Sequence, residues 1–191
     1  MKIAILLPYK EDYSSNFSGA VSIHVSNLYK YSKFRKHITI WGNTKSKKYL
    51  TRNYKNISIS KKFLSSNNKQ YLSKFINLQK KIRPDIIEIH NRPNYVYEIT
   101  ENLKSKVILY FHNNPLGISG SKSIKERMRL LSNCEYIFFN SNWTKKQFFK
   151  DIDEDKYISK YSVCFQSTKR CKVNLNSKKN IITFIGKLNS A

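Results

Sequence analysis

A chain of 191 residues holds one domain with a sizeable core, or one domain and part of another. Apolar content of 40% and aromatic content of 14% exclude a disordered chain, and five Gly and four Pro exclude a collagen-like or linker-rich one. The net charge of +24 is uneven, since residues 13–84 carry 16 Lys or Arg and no Asp or Glu, so a partner drawn by charge is anionic: nucleic acid, a membrane surface or a phosphorylated substrate.

The predicted elements alternate. Residues 2–7 read as a strand stopped by Pro8, and Gly19 opens a helix with Val21, Val25 and Leu28 at helical spacing. Residues 37–41 form a second strand closed by Gly42-Asn43. A basic loop over 45–56 leads to a short third strand at Ile57-Ser58-Ile59. Residues 67–82 carry Tyr71, Phe75, Leu78 and Ile82 on one helical stripe with lysines opposite, and Pro84 stops them.

A strand over 85–90, a helix over 95–103 entered at Pro93, and a strand over 106–112 follow. Ser123 with Glu126 fits a capping box for a helix whose stripe is Ile124, Met128 and Leu131. The pattern continues with a strand over 135–140, a helix capped by Ser141 or Asn142, and a short strand over 161–165. Residues 166–179 are polar, basic and aperiodic, as a linker is, and 181–187 form another apolar strand ending in Gly186-Lys187. Strand–helix alternation implies a doubly wound α/β domain with a parallel sheet and right-handed crossovers. A core strand after a linker implies the beginning of a second domain.

Three strands end the same way. Ile89 gives way to His90-Asn91-Arg92-Pro93, Phe111 to His112-Asn113-Asn114-Pro115, and Phe139 to Asn140-Ser141-Asn142-Trp143. In open α/β sheets the ligand crevice lies past the carboxyl ends of the strands. His112 there can donate to a sugar hydroxyl or stabilise charge during group transfer, or it can satisfy loop backbone. His90 is placed alike, with Arg92 near to meet phosphate or carboxylate. His24, inside the first helix, either packs or faces the cleft, and His37 reads as structural. Ser18-Gly19-Ala20 can offer backbone N–H groups to an anion, or Gly19 can simply let the chain turn.

Other chemistries lack their residues. GxGxxG and P-loop motifs are absent, as are a carboxylate pair at strand ends and a GxSxG elbow. Cys134, Cys164 and Cys171 form no CxxC, which disfavours a disulfide framework or a zinc site, and Cys134 reads as core packing. The run 3–7 is too short for a signal-peptide core or a membrane span, so the chain reads as cytoplasmic. The excess of Lys, Asn, Ile, Ser and Tyr has a compositional reading beside the functional ones.

On these residues the chain resembles the N-terminal half of a family 4 glycosyltransferase of the GT-B type. The segments that carry the resemblance are Pro84-Asp85-Ile86-Ile87-Glu88-Ile89-His90-Asn91-Arg92-Pro93, Tyr110-Phe111-His112-Asn113-Asn114-Pro115-Leu116, Gly120-Ser121-Lys122, Phe139-Asn140-Ser141-Asn142-Trp143-Thr144-Lys145 and Gln166-Ser167-Thr168-Lys169. The resemblance implies a Rossmann-like acceptor-side domain over residues 1–176, with 177–191 holding the linker end and first strand of a donor-binding domain.

It implies transfer of a sugar from a UDP- or GDP-sugar to a glycan or lipid-linked acceptor, with retention of configuration and without metal or other cofactor. His112 then contacts the donor sugar, while Gly19 and Lys187 lie near the donor phosphates. His24, His90, Asn91, Arg92, Asn113, Lys122, Asn140, Ser141 and Trp143 shape the acceptor side. A separate chain is one source of the second domain, and the basic face over 13–84 would dock peripherally on an anionic membrane. The donor-binding domain being absent, these 191 residues alone are expected to transfer little or no sugar. The alternative is a non-enzymatic basic module that binds nucleic acid or an anionic glycan.

Overall fold

The computed structural model describes residues 1–59 and 66–166. Its elements run β1 (Ile3–Leu6), α1 (Ala20–Tyr31), β2 (Ile38–Gly42), β3 (Tyr54–Asn56), α2 (Asn67–Ile82), β4 (Ile86–His90), α3 (Pro93–Asn102), β5 (Lys106–Phe111), α4 (Ile124–Asn133), β6 (Tyr136–Phe139), α5 (Asn142–Phe148) and β7 (Tyr161–Val163). The strands form one parallel sheet in the order β3-β2-β1-β4-β5-β6-β7. The strand order reverses between β1 and β4, and that reversal is the topological switch point.

The period of two along each strand sorts side chains onto two faces. Ala4, Leu6, Ile87, Ile89, Leu109, Phe111, Ile137 and Phe139 share one core with Phe75, Val96 and Leu130 of the covering helices. Ile5, Leu7, Ile38 and Ile40 meet Val21 and Val25 of α1 in a second core on the opposite face. Burying each such aliphatic side chain contributes about 1.5–3 kcal/mol before entropy is counted. The sheet is therefore doubly wound, with helices on both faces.

The helix boundaries follow from capping chemistry. Ser66 accepts from the Lys69 N–H at the start of α2, and Arg83 ends that helix in the left-handed region at φ 54° just before Pro84. Ser123 and Glu126 make both bonds of a capping box on α4. Pro93 occupies the first turn of α3, and Ser141 accepts from the Thr144 N–H to start α5.

Three sequence expectations are corrected. The third strand is Tyr54–Asn56, not residues 57–59, because Tyr54 stacks on Tyr13 at 5.0 Å and its hydroxyl donates to Thr44 Oγ1 at 2.8 Å. In α4 the buried residues are Arg127, Leu130 and Leu131, while Ile124 and Met128 face solvent. Arg127 turns the helix this way by donating to the Lys122 and Lys150 carbonyls at 2.7 Å each. Leu28 and Leu78 are likewise exposed on their helices, whose buried residues include His24 and Gln79. The proposed linker beyond Gln166, the strand over 181–187 and the domain boundary at residue 176 lie outside the described residues, as does Lys187.

Among the described residues no helix is long and apolar enough to cross a membrane.

Candidate functional site

A pocket of about 450 Å³ opens at the switch point. Its wall draws on four segments: Lys10 and Glu11 after β1, Asn91 and Arg92 after β4, His112 and Asn113 after β5, and Gln166 after β7. The first turn of α1 closes the remaining side. Strand pairing explains the convergence, since β4 and β5 pair His90 with Tyr110 and so bring their polar endings side by side.

Asn91 joins these two endings. It sits at φ 50°, a left-handed conformation that Asn tolerates better than most residues. Its Oδ1 accepts from the His112 N–H at 2.8 Å and the Asn113 N–H at 3.3 Å. Arg92 folds back to donate to the Asn91 carbonyl at 2.8 Å.

Behind the pocket the rings form a stack. His112 lies over Tyr110 at 4.4 Å between centroids and beside His90 at 5.1 Å. His24 of α1 meets His112 edge-on at 5.1 Å and Tyr110 at 4.9 Å. The His90 and His112 rings are joined by a 2.8 Å contact between Nδ1 and Nε2. His90 Nε2 lies 2.8 Å from Glu88 Oε1, a close contact without an aligned hydrogen bond. On the pocket side, Gln166 Nε2 stands 2.7 Å from His112 Nδ1. The Tyr110 hydroxyl donates to the Cys164 carbonyl and so ties the end of β7 to this stack.

Burial governs the charge of these rings. It pushes His112 down to about 2, with His90 and His24 adding to the effect. It pushes His24 down to about 4, with His90 lowering it further and Glu88 opposing. Both imidazoles are neutral at pH 7. Tyr110 is raised above the ordinary phenol value, chiefly by burial, and stays protonated. A neutral imidazole in a polar crevice can exchange hydrogen bonds with a hydroxyl without bringing a positive charge to it.

Gly19 stands at the start of α1. A Cβ there would meet Glu11 Oε1 at 2.5 Å, and the same carboxylate oxygen accepts from the Ser22 N–H at 2.9 Å. An internal anion thus already occupies the positive end of this helix.

The other expected residues lie elsewhere. Asn140 donates through Nδ2 to the His112 carbonyl at 2.8 Å and accepts from Thr144 Oγ1 at 2.6 Å. Ser141 caps α5, and Trp143 is exposed on its first turn. Lys122 is exposed, with its carbonyl taken by Arg127. None of these four lines the pocket beside His112. His90 is fully buried and reaches the pocket through His112. His24 lines a second, more apolar cavity of about 510 Å³, together with Leu28, Phe34, Glu88, Tyr110 and Phe138.

Sequence reasoning missed Glu88, Glu11 and Gln166. Glu88 carried a signal: a lone carboxylate in an apolar strand, two residues before His90 and so on its face. Gln166 heads a segment that carries the family resemblance, but it sits in an aperiodic stretch that gives it no site role.

No group of three or more His, Cys, Asp or Glu side chains among the described residues is arranged to hold a metal ion. No family model matches the chain, and no curated protein sequence matches it. Solved structures do. Anabaena Alr3699/HepE in complex with UDP-glucose matches with a TM-score of 0.56 at 9% identity, over 88% of this chain and 44% of that one. The S. aureus MnaA–UDP co-structure matches at 0.55 and 11% identity, over 85% and 44%. A crystal structure of UDP-N-acetylglucosamine 2-epimerase matches at 0.52 and 13% identity, over 82% and 47%. Likeness at such identities shows the fold, a Rossmann-like domain of the kind found in GT-B structures. The chain spans less than half the length of each.

Proposed function

We propose that this chain is the acceptor-side domain of a nucleotide-sugar-dependent glycosyltransferase, with a second Rossmann-like domain completing the cleft. One observation carries the reading. The neutral, half-buried His112 opens onto the switch-point pocket between Asn91 and Asn113, on a fold shared with structures described as complexes with UDP and UDP-glucose.

In this reading the donor is a UDP- or GDP-sugar, and His112 meets a hydroxyl of the transferred sugar. Transfer proceeds with retention and without metal, to a glycan or lipid-linked acceptor. Asn91, Arg92 and Asn113 form the nearer acceptor wall, and Lys122, Asn140, Ser141 and Trp143 belong to its outer rim. A donor phosphate at Gly19 takes the place of the Glu11 carboxylate, with Lys10 and Arg92 at hand to pair with it. The basic face over 13–84 keeps the protein on an anionic cytoplasmic membrane surface.

The test is a titration of ¹⁵N-labelled protein with a panel of UDP- and GDP-hexoses. The expected result is amide shifts at Asn91, His112 and Asn113 with at least one donor, lost in His112→Ala. The absence of such shifts at millimolar donor across the panel would overturn the placement of the donor sugar at His112. Oligonucleotide binding that persists at physiological salt would instead support a nucleic-acid module.

A further inference from the structure

Glu88, His90, His112 and Gln166 form a continuous chain from the sheet interior to the pocket, and each contact has a direction. Glu88 Oε1 lies 2.8 Å from His90 Nε2 without an aligned hydrogen bond, and an oxygen that close repels a lone pair on the ring nitrogen, so the contact favours a proton on His90 Nε2. A neutral His90 then has its lone pair on Nδ1. The 2.8 Å contact from that atom to His112 Nε2 requires the His112 proton to be on Nε2. A neutral His112 protonated there carries its lone pair on Nδ1, and Nδ1 meets the amide nitrogen of Gln166 at 2.7 Å. With neutral rings and this amide orientation, only one arrangement gives both hydrogen bonds one donor and one acceptor, and it also keeps a lone pair on His90 Nε2 away from Glu88. The ring stack holds the planes in place, with His90 and His112 at 29° and Tyr110 and His112 at 19°.

We propose that Glu88 and His90 are positioning residues that hold the His112 proton on Nε2 and present Nδ1 to the pocket as a hydrogen-bond acceptor. His90 is wholly buried, and Glu88 lines the apolar cavity on the α1 face, so neither faces the pocket. They act through His112, as a carboxylate behind a histidine fixes its tautomer in many sites. The consequence is chemical selectivity. His112 takes a ligand group that can donate, such as a sugar hydroxyl, and turns away a bare oxyanion. The Gln166 amide marks where that hydroxyl goes. The identity of the hydroxyl rests on the nucleotide-sugar reading, whereas the tautomer does not.

Four histidines make a simple imidazole ¹⁵N spectrum, and the His112 signals are assigned by their loss in His112→Gln. Long-range ¹H–¹⁵N correlation at pH 7.5 reports which ring nitrogen carries the proton. The wild-type chain is expected to show His112 neutral with Nε2–H. Gln166→Ala should leave this state unchanged, because the tautomer is set from inside the sheet. Glu88→Gln keeps an oxygen beside His90 Nε2 but removes the carboxylate charge, so it should weaken the preference less than Glu88→Ala does. Glu88→Ala and His90→Phe should lower the preference roughly tenfold, to a mixture of tautomers. If His90→Phe does not fold, as judged by amide dispersion, the Glu88→Ala and Glu88→Gln pair decides alone.

Nδ1–H on His112 in the wild-type chain would overturn the proposal. So would an unchanged tautomer in folded Glu88→Ala, or a tautomer that moves in Gln166→Ala. Nε2–H on His112 without any binding of UDP- or GDP-hexoses would overturn the placement of the donor sugar at His112 and leave this proposal standing.

Discussion

The endings of β4 and β5 and the ending of β6 look alike in sequence and do different work. Each is an apolar run that breaks into compact polar residues. After β4 and β5 those residues build the pocket: Asn91 bridges the two strands, and His112 opens onto the cavity. After β6 the polar residues are consumed locally. Asn140 braces the His112 carbonyl and Thr144, and Ser141 starts α5. The difference lies in the cap. β4 and β6 both lead directly into a helix, but Ser141 caps α5 and Asn140 braces it, whereas α3 starts at Arg92 without a side-chain cap and leaves Asn91 to bridge to β5. Strand-end polarity locates the crevice edge, and the capping of the next element decides which residues enter it.

The widest gap between the two regions is in their response to acid. The β4 and β5 endings hold the histidine stack, with His112 lowered to about 2 and His24 of α1, packed beside it, to about 4. In the unfolded chain both take a proton near the ordinary histidine value of about 6.5, so between there and about 4 the unfolded state binds more protons. Stability therefore rises with pH in that window and is lost as pH falls through it, by about 1.4 kcal/mol per pH unit for each ring. From pH 7 to pH 5 the two together cost about 4 kcal/mol. Urea denaturation across this range in wild type and His24→Gln should show a shallower slope in the variant, and identical slopes would break the contrast.

How much of this was readable in the chain differs by element. Residues 67–82 came through with their boundaries intact, because Pro84 and a clear helical stripe act locally. The capping box at Ser123 was likewise local, whereas the face that α4 buries was not, because Arg127 finds its two carbonyl partners through the fold. Tyr54 was hidden inside a basic loop for the same reason: its strand exists by stacking on Tyr13, 41 positions earlier in the numbering. At the site, His112 and His90 stood out as residue types at strand ends. Their connection to Glu88 comes from alternation along one strand, yet the His90–His112 bond depends on the β4–β5 register. Register is a tertiary quantity, and a single sequence does not display it.

Asn91 is the residue on which the pairing of the first two endings depends. Asn91→Ala removes the acceptor of the His112 and Asn113 N–H groups and places a Cβ-bearing residue without a compensating side chain at φ 50°. The expected loss is about 3 kcal/mol, from two unsatisfied donors and the left-handed backbone. Asn91→Gly relieves the backbone part and should recover about 1 kcal/mol of it. Chemical denaturation measures both. Equal losses in the two variants would show that the side-chain bonds, and not the backbone, hold the turn.

The smallest effect belongs to the β6 ending. Ser141→Ala removes the oxygen that accepts from the Thr144 N–H at 3.1 Å, a helix cap exposed enough for water to take over in part. Its cost should be about 1 kcal/mol. The histidine stack should not feel it, since Asn140 keeps its own bonds to the His112 carbonyl and Thr144. The informative measurement is therefore the imidazole ¹⁵N spectrum beside the denaturation curve. A lower midpoint with an unchanged His112 tautomer confines Ser141 to capping. A shifted tautomer would make the third ending part of the site, joined to it through the backbone of His112.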